Sequence, residues 1–291
     1  GAKARAAVIH ADDAHAARVA DAAERTGFRV LRYGTRNERG GSAGKLDVGV
    51  EAVEPRPDGL AVRFRFEAPA HLAGWPRSRE GAESVNDELQ FHLPLLGRYN
   101  ALNAAAACAA ATALGLPLHV IRRGLEAIPG VPGRLEPVAA GRPFMVAVDY
   151  AHTPDALERA LAAVQEHARG RVLLVFGCGG DRDRGKRPVM GATAARGAAA
   201  IWVTNDNPRS EDPRTIAGEI MAGAATAGGS VPIVELDRRA AIAAAIAAAR
   251  PGDVVLIAGK GHETTQTIGD RVEPFDDRQV ARELLHGGGG A

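Results

Sequence analysis

Several features that would indicate a disulfide-stabilised, membrane-spanning or nucleic-acid-binding protein are scarce in this sequence. Only two of the 291 residues are cysteine, Cys108 and Cys178. They form no CxxC pair, so neither a disulfide framework nor a zinc site is expected. Lysine plus arginine (36) nearly balance aspartate plus glutamate (35), which gives no reason to expect a nucleic-acid partner or an anionic membrane surface.

Long apolar runs are also missing, although 46% of the residues are hydrophobic. No uninterrupted run reaches the roughly 18 residues that indicate a transmembrane helix. The first residues lack the basic and then apolar layout of a signal peptide. The sequence therefore predicts a cytoplasmic protein that does not interact with a membrane.

The first 130 residues predict mixed α/β structure. Strands are predicted at 6–10, 46–66 and 91–96, and helices at 12–26, 100–114 and 117–128. The middle segment alternates as a hairpin, for which Pro57-Asp58-Gly59 provides the turn. The Pro-Gly-Val-Pro-Gly stretch at 129–133 predicts a boundary, so we expect two domains, residues 1–131 and 132–291.

After this boundary, short apolar runs alternate with helical stretches. The predicted strands are 144–148, 172–176, 200–203, 233–236 and 254–257, and the predicted helices are 154–167, 187–197, 213–225, 238–250 and 277–285. Strands that alternate with helices of about three turns indicate a parallel sheet with helices on both faces. The predicted fold class is therefore α/β, with a mostly parallel sheet in the second domain.

Four of the predicted strands are followed by loops rich in glycine and charge. These loops are 149–155, 177–185, 205–213 and 259–263. Ligands of open α/β sheets bind at the carboxyl ends of the strands. Loops of this composition after four strands of one sheet predict a binding site, whereas one polar loop alone would be ordinary surface.

Three motifs for common binding sites are incomplete. Gly177-Cys178-Gly179 begins like a dinucleotide fingerprint, but Arg182 occupies its third glycine position. His262-Glu263 begins like a zinc protease motif, but residue 266 is Gln. Gly44-Lys45 resembles the end of a P-loop without its leading glycine or its Ser/Thr. These sites are therefore not expected.

Other residues in the loops have a plausible chemistry. Asp149 ends a strand and could accept hydrogen bonds from a ribose, or be a turn aspartate. The guanidinium groups of Arg182 and Arg209 suit carboxylates, with Asn207 adding an amide and Glu263 available for an ammonium group. That set would bind a zwitterionic amino acid. Alternatively, the arginines are solvated charges paired with acidic residues of the same loops.

Seven blocks of the sequence, taken together, resemble the diaminopimelate-adding branch of the Mur ligase family. The blocks are AKARAAVIHADD (2–13), LLGRYNALNAAAA (95–107), PGRLE (132–136), VDYAHTPDALERAL (148–161), VFGCGGDRDRGKRPVMG (175–191), DNPRSEDP (206–213) and AGKGHETTQ (258–266). They occur in the order of the family and cover nearly the whole chain. The resemblance implies a Rossmann-like C-terminal domain, preceded by the C-terminal part of a central ATPase domain.

The resemblance implies an amino-acid site for meso-diaminopimelate. The residues it assigns to this site are Arg182, Asp206, Asn207, Arg209, Gly259 and Glu263. Arg209 with Asn207 would hold the carboxylate at the far end of the amino acid, and Arg182 would hold a carboxylate too. Gly259 and Glu263 would contact the distal amino group or nearby atoms. Lysine lacks the second carboxylate and would leave a buried arginine unpaired.

The resemblance also implies a site for ATP and Mg²⁺. Asn103 and Asp149 match residues near the base and the ribose, and Arg134 matches an arginine that reaches the phosphates. His152 matches a histidine near the same position, and the resemblance implies that His152 and Lys3 are catalytic residues. Lys3 matches a lysine whose carbamylated form, a carboxylate, can bind Mg²⁺.

The activity implied is ATP-dependent amide formation in peptidoglycan precursor synthesis. Meso-diaminopimelate would be added to UDP-N-acetylmuramoyl-L-Ala-D-Glu through an acyl phosphate, by a monomeric cytoplasmic enzyme. The family's nucleotide-binding N-terminal domain and glycine-rich phosphate loop have no counterpart in these residues. The 291 residues alone are therefore expected to be inactive.

Two alternative functions remain open. One is a ligase similar to folylpolyglutamate synthetase, which the DNPR loop at 206–209 disfavours because such ligases need no diaminopimelate site. The other is a non-catalytic module that binds an amino acid or a protein partner. The missing phosphate loop favours this module, but the presence of both the DYAHTP and DNPR loops argues against it.

Overall fold

The structure, a computed structural model, describes residues 6–36, 45–56, 58–67, 86–138 and 141–287. The chain divides into two compact units, Gly1–Pro129 and Gly130–Ala291. The division falls in the Pro-Gly-rich stretch at 129–133. Lys3 lies outside the described residues, so its role remains a prediction.

The first unit contains a five-stranded mixed sheet in the order β1-β2-β3-β4-β5. Its strands are β1 (Ala6–His10), β2 (Arg29–Thr35), β3 (Val48–Arg56), β4 (Gly59–Glu67) and β5 (Asn86–Leu93), and its helices are α1 (Ala16–Arg25), α2 (Tyr99–Ala113) and α3 (Leu118–Glu126). Strands β1, β2 and β3 are parallel, and β3, β4 and β5 are antiparallel. The predicted hairpin at 46–66 is confirmed as β3 and β4.

The alanine-rich helix α2 packs closely on this sheet. Its buried face consists of Ala101, Ala104, Ala105, Cys108, Ala109 and Thr112. Such small side chains leave room for the large apolar residues of the strands, among them Phe64 and Phe66, which are fully buried. These groups belong to one core cluster with residues of α3, so the burial of the sheet's apolar face stabilises the unit.

Some elements of the first unit differ from their predictions. Strand β2 had no predicted counterpart because Arg29 and Arg32 interrupt its apolar pattern. Arg32 pairs with Glu24 at 3.1 Å and its backbone N–H donates to Asp47, contacts that only the fold creates. Helix α1 begins later than expected, and β5 begins and ends earlier.

The second unit contains a six-stranded sheet in the order β10-β9-β8-β11-β7-β6. The strands are β6 (Glu136–Pro137), β7 (Met145–Asp149), β8 (Val172–Phe176), β9 (Ala200–Val203), β10 (Ile233–Val234) and β11 (Val254–Ala258). All neighbours in this sheet pair in parallel except β6, which is antiparallel to β7. This confirms the predicted mostly parallel sheet.

Helices cover both faces of this sheet, as expected. They are α4 (Pro154–Gln165), α5 (Lys186–Gly197), α6 (Pro213–Thr226), α7 (Arg238–Ala248) and α8 (Asp277–Gly287). Leu173 and Val175 belong to a core cluster with α7 and α8, whereas α4 contacts β8 and β11 from the other face. The alternation of side chains along each strand separates these two faces.

Two features of the second unit were not predicted, the short strand β6 and a hairpin after β11. Residues after β11 form an antiparallel hairpin of β12 (Thr265–Ile268) and β13 (Arg271–Pro274). Most of its residues are exposed, so it lacks the apolar alternation that reveals a half-buried strand. Strand β10 is also shorter than expected. Within the described residues, no helix has both the length and the apolar character needed to cross a membrane.

Candidate functional site

The four loops predicted to form a site do share one edge of the sheet. Strands β7, β11, β8 and β9 are adjacent and parallel, so their carboxyl ends meet at the same edge. The loops that follow them begin at Tyr150, Gly259, Gly177 and Thr204. Thr153 and Asp212 then cap α4 and α6 by accepting backbone hydrogen bonds, and a proline follows each cap.

Glycines allow these loops to approach each other closely. A Cβ on Gly177 would collide with the carbonyl oxygen of Thr204, and one on Gly180 with that of Pro208. Gly259 has a φ of 116°, and a Cβ there would lie 2.6 Å from Oδ2 of Asp206. A larger residue at these positions would therefore separate the loops.

Arg182 and Arg209 both lie next to Gly179. A Cβ on this glycine would be 3.0 Å from Nη1 of Arg209 and 3.8 Å from Cγ of Arg182. Arg209 Nη1 donates to the Gly180 carbonyl at 2.7 Å, and Arg182 Nη1 donates to the Asp181 carbonyl at 3.1 Å. Neither guanidinium forms an ion pair with a carboxylate of the described residues, so both retain capacity for an anionic ligand.

The acidic residues around these arginines are bonded to other groups. Asp181 accepts from the hydroxyl of Ser210 at 2.7 Å, and Glu211 pairs with Arg187 at 2.7 Å. Arg182 and Arg209 therefore form no ion pair with Asp181 or Glu211, although the charge of Arg209 is one of the causes that lower the pKa of Asp181. Asp181 and Arg209 also adopt left-handed φ values of 53° and 51°, which is unusual for residues with a side chain.

A fully buried arginine, Arg187, joins the two loops that carry these arginines. Its guanidinium donates to both oxygens of Glu211, at 2.7 and 2.9 Å, and to Glu219 at 2.7 Å. It also donates to the Gly179 carbonyl at 3.2 Å. Glu211 in turn accepts from the backbone N–H of Asp181 at 2.6 Å. The hydrogen bonds from Arg187 lower the pKa of Glu211 to about 2.

Asn207, Glu263 and Asp206 form a second cluster, which includes a lysine that was not predicted. Asn207 Nδ2 donates to Glu263 at 2.8 Å and to Asp206 at 3.0 Å. Lys260, with no exposed surface, lies 3.4 Å from both Asn207 Oδ1 and Glu263 Oε2. Burial raises the pKa of Asp206, while the charges of Arg238 and Lys260 act to lower it.

The residues that were predicted to bind the amino-acid substrate are thus close together. The backbone N–H of Gly180 donates to the Asn207 carbonyl at 2.9 Å, which links the arginine pair to the Asn207 cluster. Arg209 is held against the hairpin, because its N–H donates to Thr267 and its carbonyl accepts from Gly269. These contacts bring guanidinium, amide and carboxylate groups to one place on the sheet edge.

Asp149, which was predicted to bind the nucleotide, and His152, which was predicted to be catalytic, lie at the end of β7. Both oxygens of Asp149 accept backbone N–H groups, from Leu135 at 2.7 Å and from Ala151 at 2.8 Å. Burial raises the pKa of Asp149, and these hydrogen bonds oppose the rise. His152 Nδ1 lies 2.9 Å from the Tyr150 carbonyl.

An aromatic cluster surrounds this position. The ring of Tyr150 lies 4.5 Å from that of His152 and 5.1 Å from that of His262. The exposed Arg134 places its Cζ 5.2 Å from the Tyr150 ring centre. Its guanidinium forms no ion pair with a carboxylate in the described part of the chain, so it could reach a phosphate.

Asn103 belongs to the first unit, in α2. Its Nδ2 donates to Oδ1 of Asn100 at 3.0 Å, and Asn100 donates to the carbonyl of Leu96 at 2.7 Å. The described residues contain no group of three or more His, Cys, Asp or Glu arranged to hold a metal ion. The predicted Mg²⁺ contact through Lys3 lies outside them.

Sequence reasoning missed Lys260 and Arg187 as parts of the site. Lys260 lies between two glycines directly after a buried strand, which is a signal that a lysine there is enclosed. Arg187 had no such signal. It lies within the first turn of α5, where an arginine is ordinarily solvated.

Comparisons with known proteins show which family this chain resembles. Residues 2–111 match the family described as the Mur ligase middle domain, and residues 133–261 match the Mur ligase, glutamate ligase domain. A UDP-N-acetylmuramoyl-L-alanyl-D-glutamate–2,6-diaminopimelate ligase of Alkalilimnicola ehrlichii is 46% identical over 282 residues, which are 96% of this chain and 51% of that protein. The ligase of the same name from Solibacter usitatus is 50% identical over 196 residues, 67% of this chain and 40% of that protein.

A solved structure of a ligase with this name superimposes with a TM-score of 0.68 at 32% identity, and covers 99% of this chain and 54% of that one. The chain therefore spans about half the length of the relatives it matches. The two matched segments are distinct domains of one family and follow each other in the chain. We conclude that the chain belongs to the Mur ligase family and carries its middle domain and its glutamate ligase domain.

Proposed function

We propose that this chain is part of an ATP-dependent ligase that adds meso-diaminopimelate to UDP-N-acetylmuramoyl-L-Ala-D-Glu. Members of the Mur ligase family are ATP-dependent ligases that form carbon–nitrogen bonds. The observation that carries the proposal is the pair Arg182 and Arg209, which have no ion-pair partner among the described residues, beside the Glu263 carboxylate. Diaminopimelate presents the complementary charges, two carboxylates and two ammonium groups.

The proposed reaction has two steps. The γ-carboxylate of D-Glu attacks the γ-phosphate of ATP, which forms an acyl phosphate and releases ADP. An amine of diaminopimelate then attacks the acyl carbon, and phosphate leaves as the amide forms. Mg²⁺ would neutralise charge on the phosphates during the transfer.

The second unit's own residues would bind and orient the substrates. Arg182 and Arg209 would hold the carboxylates of diaminopimelate, and Glu263 would accept from an ammonium group. Arg134 would contact the phosphates of ATP, because its exposed guanidinium has no ion-pair partner in the part of the chain that the structure describes. Asp149 uses both its oxygens on backbone N–H groups, so its proposed contact with the ribose would use the remaining lone pairs.

Specificity for diaminopimelate over lysine would follow from the two arginines. Lysine has one carboxylate and would leave Arg209 without a partner beside the Gly180 carbonyl. An unpaired polar group in a closed site disfavours the wrong ligand strongly. Glutamate, the amino acid that a folate ligase adds, also has two carboxylates but only one ammonium group. The feature that favours diaminopimelate over glutamate is therefore the Glu263 carboxylate, which can accept from a second ammonium group.

The test is calorimetric titration of the chain with meso-diaminopimelate and with L-lysine. We expect binding of the first only. Arg209→Met should weaken it by about tenfold to hundredfold, because it removes a charge-assisted contact. The matched control is Arg214→Met, since Arg214 is an exposed arginine of α6. Equal binding of both amino acids, or of neither, would contradict the proposed site.

A further inference from the structure

Lys260 is a charged side chain in a fully enclosed position. It follows β11 directly and has no exposed surface. Its ammonium group donates to the Thr265 carbonyl at 2.5 Å and lies 3.4 Å from Asn207 Oδ1 and from Glu263 Oε2. An ammonium group is costly to bury, so its position there calls for a role beyond packing.

The amide of Asn207 uses all of its hydrogen-bonding capacity within the protein. Its two N–H bonds point to Asp206 Oδ1 and Glu263 Oε2. Its oxygen accepts from the backbone N–H of Thr267 at 2.9 Å and from Lys260. A side-chain amide has two donors and two acceptor lone pairs, and in Asn207 each of them has a partner within the protein.

Lys260 and Thr267 therefore determine how the amide of Asn207 is oriented. Both are donors, so they require the oxygen of the amide to face them, and the NH₂ group must then face the two carboxylates. Glu263 Oε2 receives both this NH₂ group and Lys260. Its other oxygen, Oε1, has no hydrogen bond to the described residues, and the side chain is 35% exposed.

We propose that Lys260 is a positioning residue of the amino-acid site. By holding Asn207 and the inner oxygen of Glu263, it presents the outer oxygen of Glu263 to an ammonium group of the amino-acid substrate. In this role Asn207 acts through Glu263. This inference rests on the proposed function, because that function provides the ammonium group.

Positioning and simple charge repulsion predict opposite effects of Lys260→Met on the affinity for an ammonium group. If Lys260 acted only through its positive charge, Lys260→Met would strengthen the binding of an ammonium group nearby. If Lys260 positions Glu263, the same substitution releases the carboxylate and weakens that binding. Methionine has a similar length and no charge. The substitution therefore distinguishes stronger from weaker binding of the ammonium group with little change in side-chain volume.

The ligands for the test are meso-diaminopimelate and the two enantiomers of 2-aminopimelate. Each enantiomer retains both carboxylates and lacks one of the two amines. By calorimetric titration, the unmodified chain should prefer meso-diaminopimelate over one enantiomer by about tenfold to hundredfold, the effect of one charge-assisted hydrogen bond. Lys260→Met should reduce this preference to within about threefold.

Two further variants separate positioning from direct contact. Glu263→Gln should reduce the same preference, and Lys260→Met should have no further effect in that background. Asn207→Ala should also reduce the preference, because it removes one of the two donors that hold Glu263 Oε2. An unchanged preference in Asn207→Ala would overturn the proposal. An unchanged or increased preference in Lys260→Met would overturn it too.

The control for lost stability is Arg171→Met. Arg171 pairs with the buried Asp253 at 2.6 Å, at the opposite edge of the same sheet. This variant should lower the melting temperature and leave the ligand preference unchanged. If it alters the preference as Lys260→Met does, the effect of Lys260 is one of stability and the proposal fails.

A measurement without ligand tests the network independently. We expect the side-chain amide protons of Asn207 to exchange slowly with solvent, and at least about tenfold faster in Lys260→Met than in Arg171→Met. Equal rates in the two variants would overturn the proposal. If the unmodified chain binds none of the three ligands, the proposed function fails, while the exchange rates still decide the role of Lys260.

Discussion

Replacement of Arg187 by methionine should destabilise the second unit more than any change at the exposed arginines around it. Arg187 has no exposed surface, whereas its partners Glu211 and Glu219 are 19% and 27% exposed. Methionine can retain most of the packing of the aliphatic stem, but it cannot donate hydrogen bonds. The two carboxylates would then face each other without the cation between them.

The expected loss of folding free energy follows from the burial of Arg187 and the partial exposure of its two glutamate partners. Removal of one partner of a buried ion pair costs about 3–5 kcal/mol. We expect the lower end, about 3 kcal/mol, because both glutamates are partly exposed and can regain water. For a unit of this size, 1 kcal/mol corresponds to roughly 2–4 °C in melting temperature. The expected decrease is therefore about 6–12 °C.

The assay is differential scanning calorimetry of the whole chain. Ile242→Ala, a substitution in the core of the second unit, identifies the transition that belongs to residues 130–291. The matched control is Arg184→Met. Arg184 contacts the same Glu219 but is 60% exposed, so its loss should change the melting temperature little. Similar decreases in the two arginine variants would refute the argument from burial.

The same variant should change how stability depends on pH. Hydrogen bonds from Arg187 lower the pKa of Glu211 from 4.5 to about 2. A lowered pKa means that the pair stabilises the folded unit above pH 4.5, and that this stabilisation is lost as the pH falls towards 2. The difference in melting temperature between the unmodified chain and Arg187→Met should therefore narrow over that range. A constant difference would show that Glu211 is not the coupled group.

Two further matched pairs test the close approach of the loops and the carboxylate at the end of β7. Gly180→Ala should destabilise the second unit by about 2 kcal/mol or more, because its Cβ would collide with the Pro208 carbonyl. Gly218→Ala, which meets no atom within 4 Å in the exposed face of α6, should stabilise it by roughly 0.5–1 kcal/mol. Asp149→Asn should cost about 2 kcal/mol, since an NH₂ group would face a buried backbone N–H. Asp155→Asn, on the exposed start of α4, should have little effect. Chemical denaturation measures all four, and equal results within either pair would contradict the reasoning.

The parts of the site that sequence reasoning found share a common feature. Each follows a buried strand, and the strands themselves were visible as apolar runs. Because parallel strands end at one edge, Arg182, Arg209 and Glu263 could be grouped before any coordinates were known. The grouping depended only on local patterns and a general rule of sheet topology.

The elements that were not predicted from the sequence lack such a local pattern. Strand β2 contains Arg32, whose side chain pairs with Glu24 and whose backbone N–H donates to Asp47 in the fold. The β12–β13 hairpin is exposed on most positions, so it has no apolar pattern. In both cases the deciding contacts join residues that are distant in sequence or that leave no periodic signal.

By itself, the sequence determined the alternation of strands and helices in the second unit, the loops that carry its charged residues, and the family resemblance. Only the tertiary structure decided which charges are paired and which remain available for a ligand. Arg187 and Arg209 both lie in or near loops in the sequence. Arg187 is buried between two glutamates, whereas Arg209 forms no ion pair with any carboxylate of the described residues. Pairing depends on distances of a few ångströms between separate loops, and those distances are set by the packing of glycines such as Gly180 against a neighbouring backbone.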